Sequence, residues 1–188
     1  HFVLSTDDNA QYTTESYKVI TDEVKVTGRI TQRKLAWVVF KEEIEKLEAG
    51  ADYETIIVDL VDDTYEMCRL YMYDKLGISH ESDDSFRAWD KVRTEYLSTM
   101  RRLCNLPYNI VLISHEDTSK DITKKSGENI TAVKPNITDK VANKLAGMVA
   151  FVGRTIAEND QYTINIKTDE VTFGGGRLGI NNVVIPSE

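Results

Sequence analysis

The 188-residue chain contains little cysteine and little proline, with two residues of the first and three of the second. Cys68 and Cys104 stand singly, without the Cys-x-x-Cys spacing of a zinc or redox site, and both fall in helical patterns. This spacing argues against a disulfide framework and against a cysteine-based metal site. We expect two buried thiols, as in proteins of a reducing cytoplasm.

Long apolar runs and an excess of basic charge are also missing. The longest apolar runs are far shorter than the ~20 residues that a membrane-spanning helix needs, and no signal-peptide pattern precedes Ser5. We therefore predict a cytoplasmic protein with no membrane partner. The 23 basic residues are outnumbered by 31 acidic residues, for a net charge of -8. This balance argues against a uniformly basic nucleic-acid face but leaves room for a local basic segment.

What the sequence does contain is an alternation of short apolar runs and helical patterns. Strands are predicted at 2–4, 55–59, 109–114, 130–133, 149–152 and 162–166, with an irregular or short-strand region at 17–30. Helices are predicted from Thr31 to a stop at Gly50, from Asp63 to Leu76, over 86–103 and over 139–148. Strands alternate with helices in the first two thirds and follow one another in the last third. This order predicts an α/β fold, with a mostly parallel sheet flanked by helices and a β-rich C-terminal flank.

Three predicted strands run into polar residues that can do chemistry. The first ends at Asp7, the second at Asp59, and the third at Ser114 and His115. Functional residues of a parallel sheet gather at the carboxyl ends of its strands, so adjacent parallel strands would place these side chains along one edge. There Asp59 can hold Mg²⁺, Asp7 can orient or deprotonate an attacking water, and His115 can sense a γ-phosphate and signal to the loop that follows.

Each of these positions also has an ordinary structural interpretation. Asp7 fits a simple turn, and His115 fits a strand-end histidine that hydrogen-bonds to its neighbours. An apolar strand running into an acid such as Asp59 occurs in many sheets. Asp63 is most simply the N-cap of the helix that follows it. The sequence pattern alone leaves both interpretations open.

The residues 174–179 match the glycine spacing Gly-x-Gly-x-x-Gly and also show the four-residue gap of a P-loop. Ile180 and Asn181 stand where a P-loop requires Lys and Ser/Thr, and no helical pattern follows. We therefore predict a flexible turn here, and the motif Gly-x-x-x-x-Gly-Lys-Ser/Thr occurs nowhere in the sequence. Arg177 on this turn is either a solvated arginine or one that reaches the nucleotide of a neighbouring subunit.

The long polar stretch from Glu116 to Glu128 is predicted to be a mobile loop. Lys120, Lys124 and Lys125 lie in it among serines and threonines, which suits sequence-independent contact with the phosphates of single-stranded DNA. Interleaved acidic residues weaken this pattern. A solvated loop without a nucleic-acid partner is therefore the alternative.

Several longer segments of the sequence are distinctive. They are Ile57-Val58-Asp59-Leu60, Arg69-Leu70-Tyr71-Met72-Tyr73-Asp74, residues 80–90, residues 113–120 and residues 135–144. Through them the stretch from Thr55 to Arg154 resembles phage-encoded RecA-like P-loop ATPases, which are AAA-family nucleotide-binding proteins and include the Sak-four single-strand annealing group. The resemblance covers more than half of the chain and implies a RecA-like ATPase core.

The resemblance implies a role for each strand end. Asp59 takes the place of the Walker B acid that holds Mg²⁺ beside ATP, and Asp7 takes that of the water-activating glutamate. His115 takes the place of the glutamine that couples the γ-phosphate to the DNA-binding loop. Ser114, directly before it, would then lie beside the cofactor.

The same resemblance implies partners. Segments 77–84 and 117–129 would face single-stranded DNA, and Lys167 and Arg177 would act in trans within a filament or ring of identical subunits. A single-strand DNA-binding protein would be a further partner, and the cytoplasm of a bacterial host the location. The P-loop strand and helix of the family would precede this chain. Residues 1–188 are therefore expected to form one RecA-like core domain that lacks them.

Three functions fit these observations. The first is ATP hydrolysis in phage recombination, with annealing or strand exchange on single-stranded DNA. The second is a catalytically incomplete RecA-like module that binds a protein or assists assembly. The third is a metal-dependent phosphoesterase that uses Asp7, Asp59 and Asp62 and needs further metal ligands.

Overall fold

The computed structural model describes residues 1–79, 86–118, 121–123, 129–131, 133–166, 174–176 and 182–185. The chain divides into two compact units, His1–Ser114 and His115–Glu188. A single RecA-like domain over the whole chain stays a prediction. The two units are taken one at a time below.

The first unit alternates strands and helices. Its described strands are β1 (Phe2–Ser5), β2 (Ser16–Val19), β3 (Glu23–Thr27), β4 (Ile30–Lys34), β5 (Thr55–Asp59) and β6 (Asn109–Ile113). Its described α-helices are α1 (Ala36–Glu48), α2 (Val61–Leu76) and α3 (Phe86–Cys104). A short 3-10 helix, Asp8–Tyr12, lies between β1 and β2.

Four strands form a parallel sheet in the order β2-β1-β5-β6. The register aligns Ser5 with Asp59 and Asp59 with Ile113, so β1, β5 and β6 end at the same level. Ile56 and Val58, which share one face of β5, are fully buried, and Thr55, Ile57 and Asp59 on the other face are half-buried. The predicted α/β fold, with a parallel sheet flanked by helices, is confirmed.

The helices bury one apolar face each. On α3 the buried positions recur at spacings of three and four; they are Ala88, Val92, Tyr96, Met100 and Leu103. The last four belong to the apolar face that the sequence predicts, whereas Trp89 of the same predicted face is 41% exposed. The core of the first unit also contains large, fully buried side chains from other elements, namely Trp37, Phe40, Leu4, Ile20 and Ile44. Within the described part of the chain, no helix is both long and apolar enough to cross a membrane.

Helix α1 begins later than predicted. It starts at Ala36 rather than at Thr31, because Ile30–Lys34 pairs with Glu23–Thr27 in an antiparallel hairpin. The segment 17–30, predicted as irregular or short strands, thus contains β2, β3 and the first residue of β4. β-branched residues in this region fit a strand as well as the edge of a helical pattern.

Helix α2 begins earlier than predicted. It starts at Val61, and its N-cap position is Leu60 rather than Asp63. Its end is as predicted, because Gly77 closes it in the left-handed conformation with φ of 68°. Asp63 therefore lies in the first turn and is available for another contact.

The second unit consists of short strands and, among its described residues, one α-helix, α4 (Asp139–Ala146). The strands are β7 (Glu116–Asp117), β8 (Asp121–Thr123), β9 (Asn129–Thr131), β10 (Lys134–Pro135), β11 (Phe151–Val152), β12 (Arg154–Glu158), β13 (Gln161–Asn165), β14 (Gly175–Gly176) and β15 (Asn182–Ile185). β12, β13 and β15 form an antiparallel sheet, and β7 with β10, β8 with β9 and β11 with β14 form antiparallel pairs. The predicted β-rich C-terminal flank is confirmed.

The loop prediction in this unit is wrong in part. The stretch from Glu116 to Glu128 contains β7 and β8, and β8 pairs with β9. The turn between β12 and β13 is short, because β12 continues to Glu158 and β13 begins at Gln161. Asn159 and Asp160, with φ of 51° and 60°, make the turn, since both residue types tolerate the left-handed region.

The two thiols differ in burial. Cys68 is buried, whereas Cys104 is partly exposed. Burial raises the pKa of both thiols, so both are protonated at neutral pH. The prediction of buried thiols is confirmed for Cys68 and holds only in part for Cys104.

Candidate functional site

The carboxyl ends of β1, β5 and β6 lie at one edge of the parallel sheet, which we call the carboxyl edge. Asp59 is the last residue of β5, Asp7 lies just past β1, and Ser114 follows β6 directly. All three residues are half-buried. The structure therefore places Asp7, Asp59 and Ser114 along the carboxyl edge, as expected for adjacent parallel strands.

Thr6 connects β1 to the end of β5 and the start of α2. Its backbone N–H donates to the Asp59 carbonyl oxygen at 2.7 Å. Its hydroxyl donates to Asp63 Oδ2 at 2.7 Å and accepts from the Leu60 N–H at 2.9 Å. Thr6 thus holds the carbonyl group of Asp59 and the N–H group of Leu60, which belong to the same peptide unit. The peptide that follows Asp59 is therefore fixed at both its carbonyl oxygen and its N–H.

The Thr6 contacts were not predicted from the sequence. Asp63 was assigned as a helix cap, but its carboxylate accepts the Thr6 hydroxyl across 57 positions of sequence. No local pattern reveals a contact of that separation. The sequence feature that could have drawn attention to Thr6 is the polar run Ser5-Thr6-Asp7, directly after the apolar residues of the first predicted strand.

Asp7 caps the 3-10 helix that follows β1. Its Oδ1 accepts the Asn9 N–H at 3.1 Å, and its Oδ2 accepts the Asn9 side-chain amide. The Ser5 hydroxyl donates to the Asp7 carbonyl oxygen at 2.8 Å. The turn interpretation of Asp7 is therefore confirmed. Its role in activating water stays a prediction.

A buried tyrosine supports the first turn of α2. The Tyr96 hydroxyl donates to the Val61 carbonyl oxygen at 3.0 Å and lies 3.1 Å from Thr64 Oγ1. Burial raises the pKa of Tyr96, so the phenol stays neutral and keeps its proton for the hydrogen bond. Because α2 follows Asp59 almost directly, Tyr96 stabilises the first turn of the helix that begins at the carboxyl edge.

His115 belongs to the second unit, where it is exposed and precedes β7. Its carbonyl oxygen accepts the Asn136 N–H at 2.8 Å. The neighbouring Glu116 carboxylate accepts two hydrogen bonds from the Arg154 guanidinium, at 2.6 and 3.0 Å. This pairing raises the pKa of Arg154. The phosphate-sensing role of His115 stays a prediction.

The glycine-rich run is part of a strand pair. Gly175–Gly176 pairs with Phe151–Val152, so the predicted flexible turn is wrong for these two residues. A Cβ on Gly176 would lie 2.6 Å from Phe151 Cβ, which explains why glycine is required at this close approach. A cavity of about 320 Å³ is lined by residues of the segment 146–152 and by Gly174 to Gly176. None of the described predicted site residues lines it.

Five predicted site residues lie outside the residues that the structure describes. They are Lys120, Lys124, Lys125, Lys167 and Arg177. Their contacts with DNA, with the cofactor or with a neighbouring subunit's nucleotide stay predictions.

The carboxyl edge suits a Mg²⁺ ion that is held by one or two carboxylates rather than by a cluster of them. The described residues contain no group of three or more His, Cys, Asp or Glu side chains placed to hold a metal ion. Asp7, Asp59 and Asp62 therefore do not form the three-carboxylate centre that a phosphoesterase of the kind considered above needs. Mg²⁺ usually keeps several waters and takes one or two carboxylates together with phosphate oxygens. Asp59 at the end of a central strand fits that mode.

An α/β domain whose parallel sheet presents carboxylates at the carboxyl ends of its strands has the architecture of a nucleotide-binding domain. A family model described as an AAA domain matches residues 3–178, and the chain belongs to this family. It is an AAA-type domain like those of P-loop ATPases, and this membership indicates a nucleotide-dependent activity. No curated protein and no solved structure shows a significant match to the chain.

Proposed function

We propose that the protein hydrolyses ATP with Mg²⁺ at the carboxyl edge. The observation that carries this proposal is the position of Asp59 at the end of the central strand β5, in a chain of the AAA domain family. Asp59 would hold the ion next to the phosphates, and the ion would neutralise charge on the β- and γ-phosphate oxygens. The two Thr6 hydrogen bonds to the peptide between Asp59 and Leu60 keep Asp59 from moving with the connection to α2.

Asp7 and Ser114 complete the proposed site in the first unit, and the sequence resemblance gives His115 a role with it. Asp7 would orient the attacking water, and its hydrogen bonds to Asn9 hold its carboxylate in one position. Ser114 would lie beside the nucleotide. His115 would sense the γ-phosphate and pass its state to the segment that begins with β7.

The outer edge of β6 supports the addition of another strand. Among the described residues β6 pairs with β5 alone, and its Val111 and Ile113 are 42% and 40% exposed. An apolar run such as Asn109–Ile113 is typical of a parallel strand with neighbours on both sides. We place the P-loop strand implied by the family resemblance at this edge. Its phosphate-binding loop would then reach the same carboxyl edge as Asp59.

The nucleic-acid partner that we propose is single-stranded DNA, and the sequence resemblance supports it. Lys120, Lys124 and Lys125 would contact its phosphates, and Lys167 and Arg177 would act in trans in a ring or filament. The physiological act would be annealing or strand exchange in phage recombination in the host cytoplasm, beside a single-strand DNA-binding protein.

The second candidate is a RecA-like module that does not hydrolyse ATP and serves as a protein-binding or assembly partner. The observation that favours it is the use of the Asp7 carboxylate as a cap, with both oxygens hydrogen-bonded to Asn9. A carboxylate whose two oxygens already accept hydrogen bonds has fewer lone pairs left to bind and orient a water molecule.

Phosphate release from ATP by the complete protein, with and without single-stranded DNA of mixed sequence, tests the proposal. We expect Mg²⁺-dependent release that DNA stimulates. Lys124→Ala combined with Lys125→Ala should weaken the stimulation, whereas the matched pair Lys140→Ala and Lys144→Ala on α4 should not. Absence of both ATP binding and phosphate release would contradict the proposed activity and favour the second candidate. Release that DNA does not change would contradict the DNA partner alone.

A further inference from the structure

Thr6 lies between the two acids of the proposed site. In the sequence it directly precedes Asp7, and in space its backbone N–H donates to the Asp59 carbonyl oxygen at 2.7 Å. The strand register pairs Ser5 with Asp59, so Thr6 is the first residue beyond the aligned part of β1 and β5. The position of Asp7 relative to Asp59 is therefore set through Thr6.

The Thr6 hydroxyl contacts three polar groups. Asp63 Oδ2 lies 2.7 Å from it, the Leu60 nitrogen 2.9 Å and the Asp59 carbonyl oxygen 3.2 Å. A hydroxyl has one proton to donate and two lone pairs with which it accepts. The Leu60 N–H can only donate, so it occupies a lone pair, and one of the two oxygens receives the proton. The carboxylate is the nearer and the stronger acceptor, so the proton goes to Asp63.

Asp63 thereby fixes the direction of the Thr6 hydroxyl. With the proton on Asp63, the hydroxyl keeps a lone pair directed at the Leu60 N–H. Without an acceptor at position 63, the proton would turn to the Asp59 carbonyl oxygen, and the lone pairs would turn away from the Leu60 N–H. The first turn of α2 thus acts through Thr6 on the peptide between Asp59 and Leu60.

The next carbonyl group along the chain has a support of its own. The Val61 carbonyl oxygen accepts from the Tyr96 hydroxyl at 3.0 Å and from Thr64 Oγ1 at 2.8 Å. Neither bond involves Thr6, so the first turn of α2 keeps these bonds when the Thr6 hydroxyl is removed. Loss of the hydroxyl therefore loosens the peptide that follows Asp59 and leaves the helix formed.

We propose that Thr6 is a positioning residue of the ATP site and that Asp63 orients it. This inference rests on the proposed function, in which Asp59 holds Mg²⁺ beside the phosphates. The Thr6 hydroxyl keeps the peptide after Asp59 in one place, and this holds the Asp59 carboxylate in register with Asp7. Displacement of a site group by ~1 Å costs about a hundredfold in rate, so a loosened peptide lowers turnover while the sheet stays folded.

A purely structural role for Thr6 leads to a different expectation. Its two hydroxyl bonds would then contribute to stability alone, and a folded variant would bind nucleotide and Mg²⁺ like the wild type. The geometry favours the positioning role. Apart from the bond to Asp63, the Thr6 contacts described above all meet the one peptide that follows Asp59.

Binding of a fluorescent ATP analogue to the complete protein, measured in Mg²⁺ and in EDTA, tests this role together with phosphate release from ATP. For Thr6→Val we expect kcat and the gain in affinity that Mg²⁺ provides each to fall at least about tenfold. Affinity in EDTA should stay within about twofold of the wild type, since the metal acid does not act there. Thr6→Ser keeps the hydroxyl and should return both values to within about threefold of the wild type.

Two replacements of Asp63 separate orientation from charge. Asp63→Asn keeps an oxygen that accepts the Thr6 proton and should stay within about threefold of the wild type. Asp63→Leu has no acceptor and should resemble Thr6→Val. Both keep the Thr6 hydroxyl, so they test the role even where Thr6→Val does not fold. Thr99→Val makes the same exchange at a buried threonine of α3 and should behave like the wild type.

Amide hydrogen exchange of the nucleotide-free protein gives a readout that does not depend on activity. The Leu60 amide should exchange at least about tenfold faster in Thr6→Val and in Asp63→Leu, because it has lost its acceptor. Thr99→Val should leave this rate unchanged. Circular dichroism confirms that each variant is folded before it is compared.

The outcomes separate this role from the function on which it rests. If Asp59→Ala abolishes turnover but a folded Thr6→Val protein keeps the wild-type rate and Mg²⁺ dependence, the positioning role is overturned and the proposed function stands. The role is also overturned if Thr6→Val loses affinity equally in Mg²⁺ and in EDTA. An Asp63→Asn protein that loses as much as Asp63→Leu would assign the effect to charge and overturn it too. A wild type with neither Mg²⁺-dependent nucleotide binding nor phosphate release would overturn the proposed function and the positioning role together.

Discussion

Replacement of Thr6 by valine is expected to destabilise the chain by about 2–3 kcal/mol. Valine keeps the β-branched shape of threonine but has no hydroxyl. It therefore removes the hydrogen bond from Thr6 to Asp63 and the one from the Leu60 N–H to Thr6, of 2.7 and 2.9 Å. The hydrogen bond from the Thr6 backbone N–H to the Asp59 carbonyl oxygen stays possible. The loss of stability therefore reports the contribution of the hydroxyl group alone.

The larger part of this loss arises at Leu60. Its side chain is 6% exposed, and its N–H loses its partner in a region with little access to water. A buried donor without a partner costs about 1–3 kcal/mol. The Asp63 carboxylate is half-buried and recovers part of its hydrogen bonding from water, so the second contact adds about 1 kcal/mol.

Urea unfolding of the 188-residue chain, followed by circular dichroism, measures the effect. With an m-value of about 1.5 kcal/mol per M, the midpoint should fall by roughly 1.5 M. Thr6→Ser is the matched control, because it keeps the hydroxyl and removes one methyl group, worth about 0.8 kcal/mol when buried. Equal losses for valine and serine, or no loss for valine, would refute the assignment of Thr6 as the link between β1, β5 and α2.

Glu95 and Cys68 provide two further predictions. Burial alone would raise the pKa of Glu95, but hydrogen bonds from Lys41 and Trp37, at 2.8 and 3.1 Å, outweigh it and hold the pKa below its ordinary value of 4.5. The ionised form therefore stabilises the fold above pH 4.5 and ceases to do so as the pH falls through the lowered pKa. The melting temperature of the wild type should exceed that of Glu95→Gln at pH 7, and the gap should close in acid; a gap that does not change with pH would contradict this. The Cys68 thiol, whose pKa is raised by burial, should react with a thiol reagent more slowly than Cys104, and equal rates in the folded chain would contradict the difference in burial.

The parallel sheet could be predicted because its strands are continuous apolar runs. The run Thr55–Asp59 has the length and the β-branched content of a buried strand, and Gly77 ends α2 by a local conformational rule. These features depend on residues close together in sequence. The order of β1, β5 and β6 does not, and the sequence offered their adjacency only as a condition for a shared site.

The hairpin and the Thr6 contacts could not be predicted in the same way. The stretch around Thr31 mixes β-branched and polar residues, so it fits more than one period, and the hairpin pairing decides in favour of a strand. The Thr6–Asp63 contact is set by tertiary structure, since it requires β1 and β5 to be adjacent. Asp63 has the residue type of a helix cap, but its carboxylate has a closer partner across the sheet.

The turn predicted for the glycine-rich run 174–179 was wrong for another reason. Its spacing predicts a turn, because glycine is the usual residue of turns. In the structure Gly176 is needed for a different reason, the close approach of Phe151. The sequence shows where the glycines are. It does not show whether a glycine is needed for its backbone conformation or because a neighbouring residue leaves no room for a side chain.

The central claim is that Asp59 holds Mg²⁺ for ATP turnover, and Asp59→Ala in the complete protein tests it most directly. We predict that the variant folds like the wild type and that Mg²⁺-dependent phosphate release from ATP falls at least about a hundredfold, because the ion supplies several kcal/mol of charge stabilisation. Asp52→Ala, an exposed acid at the opposite edge of the sheet, is the matched control and should retain the wild-type rate. A folded Asp59→Ala protein that releases phosphate at the wild-type rate would contradict the account.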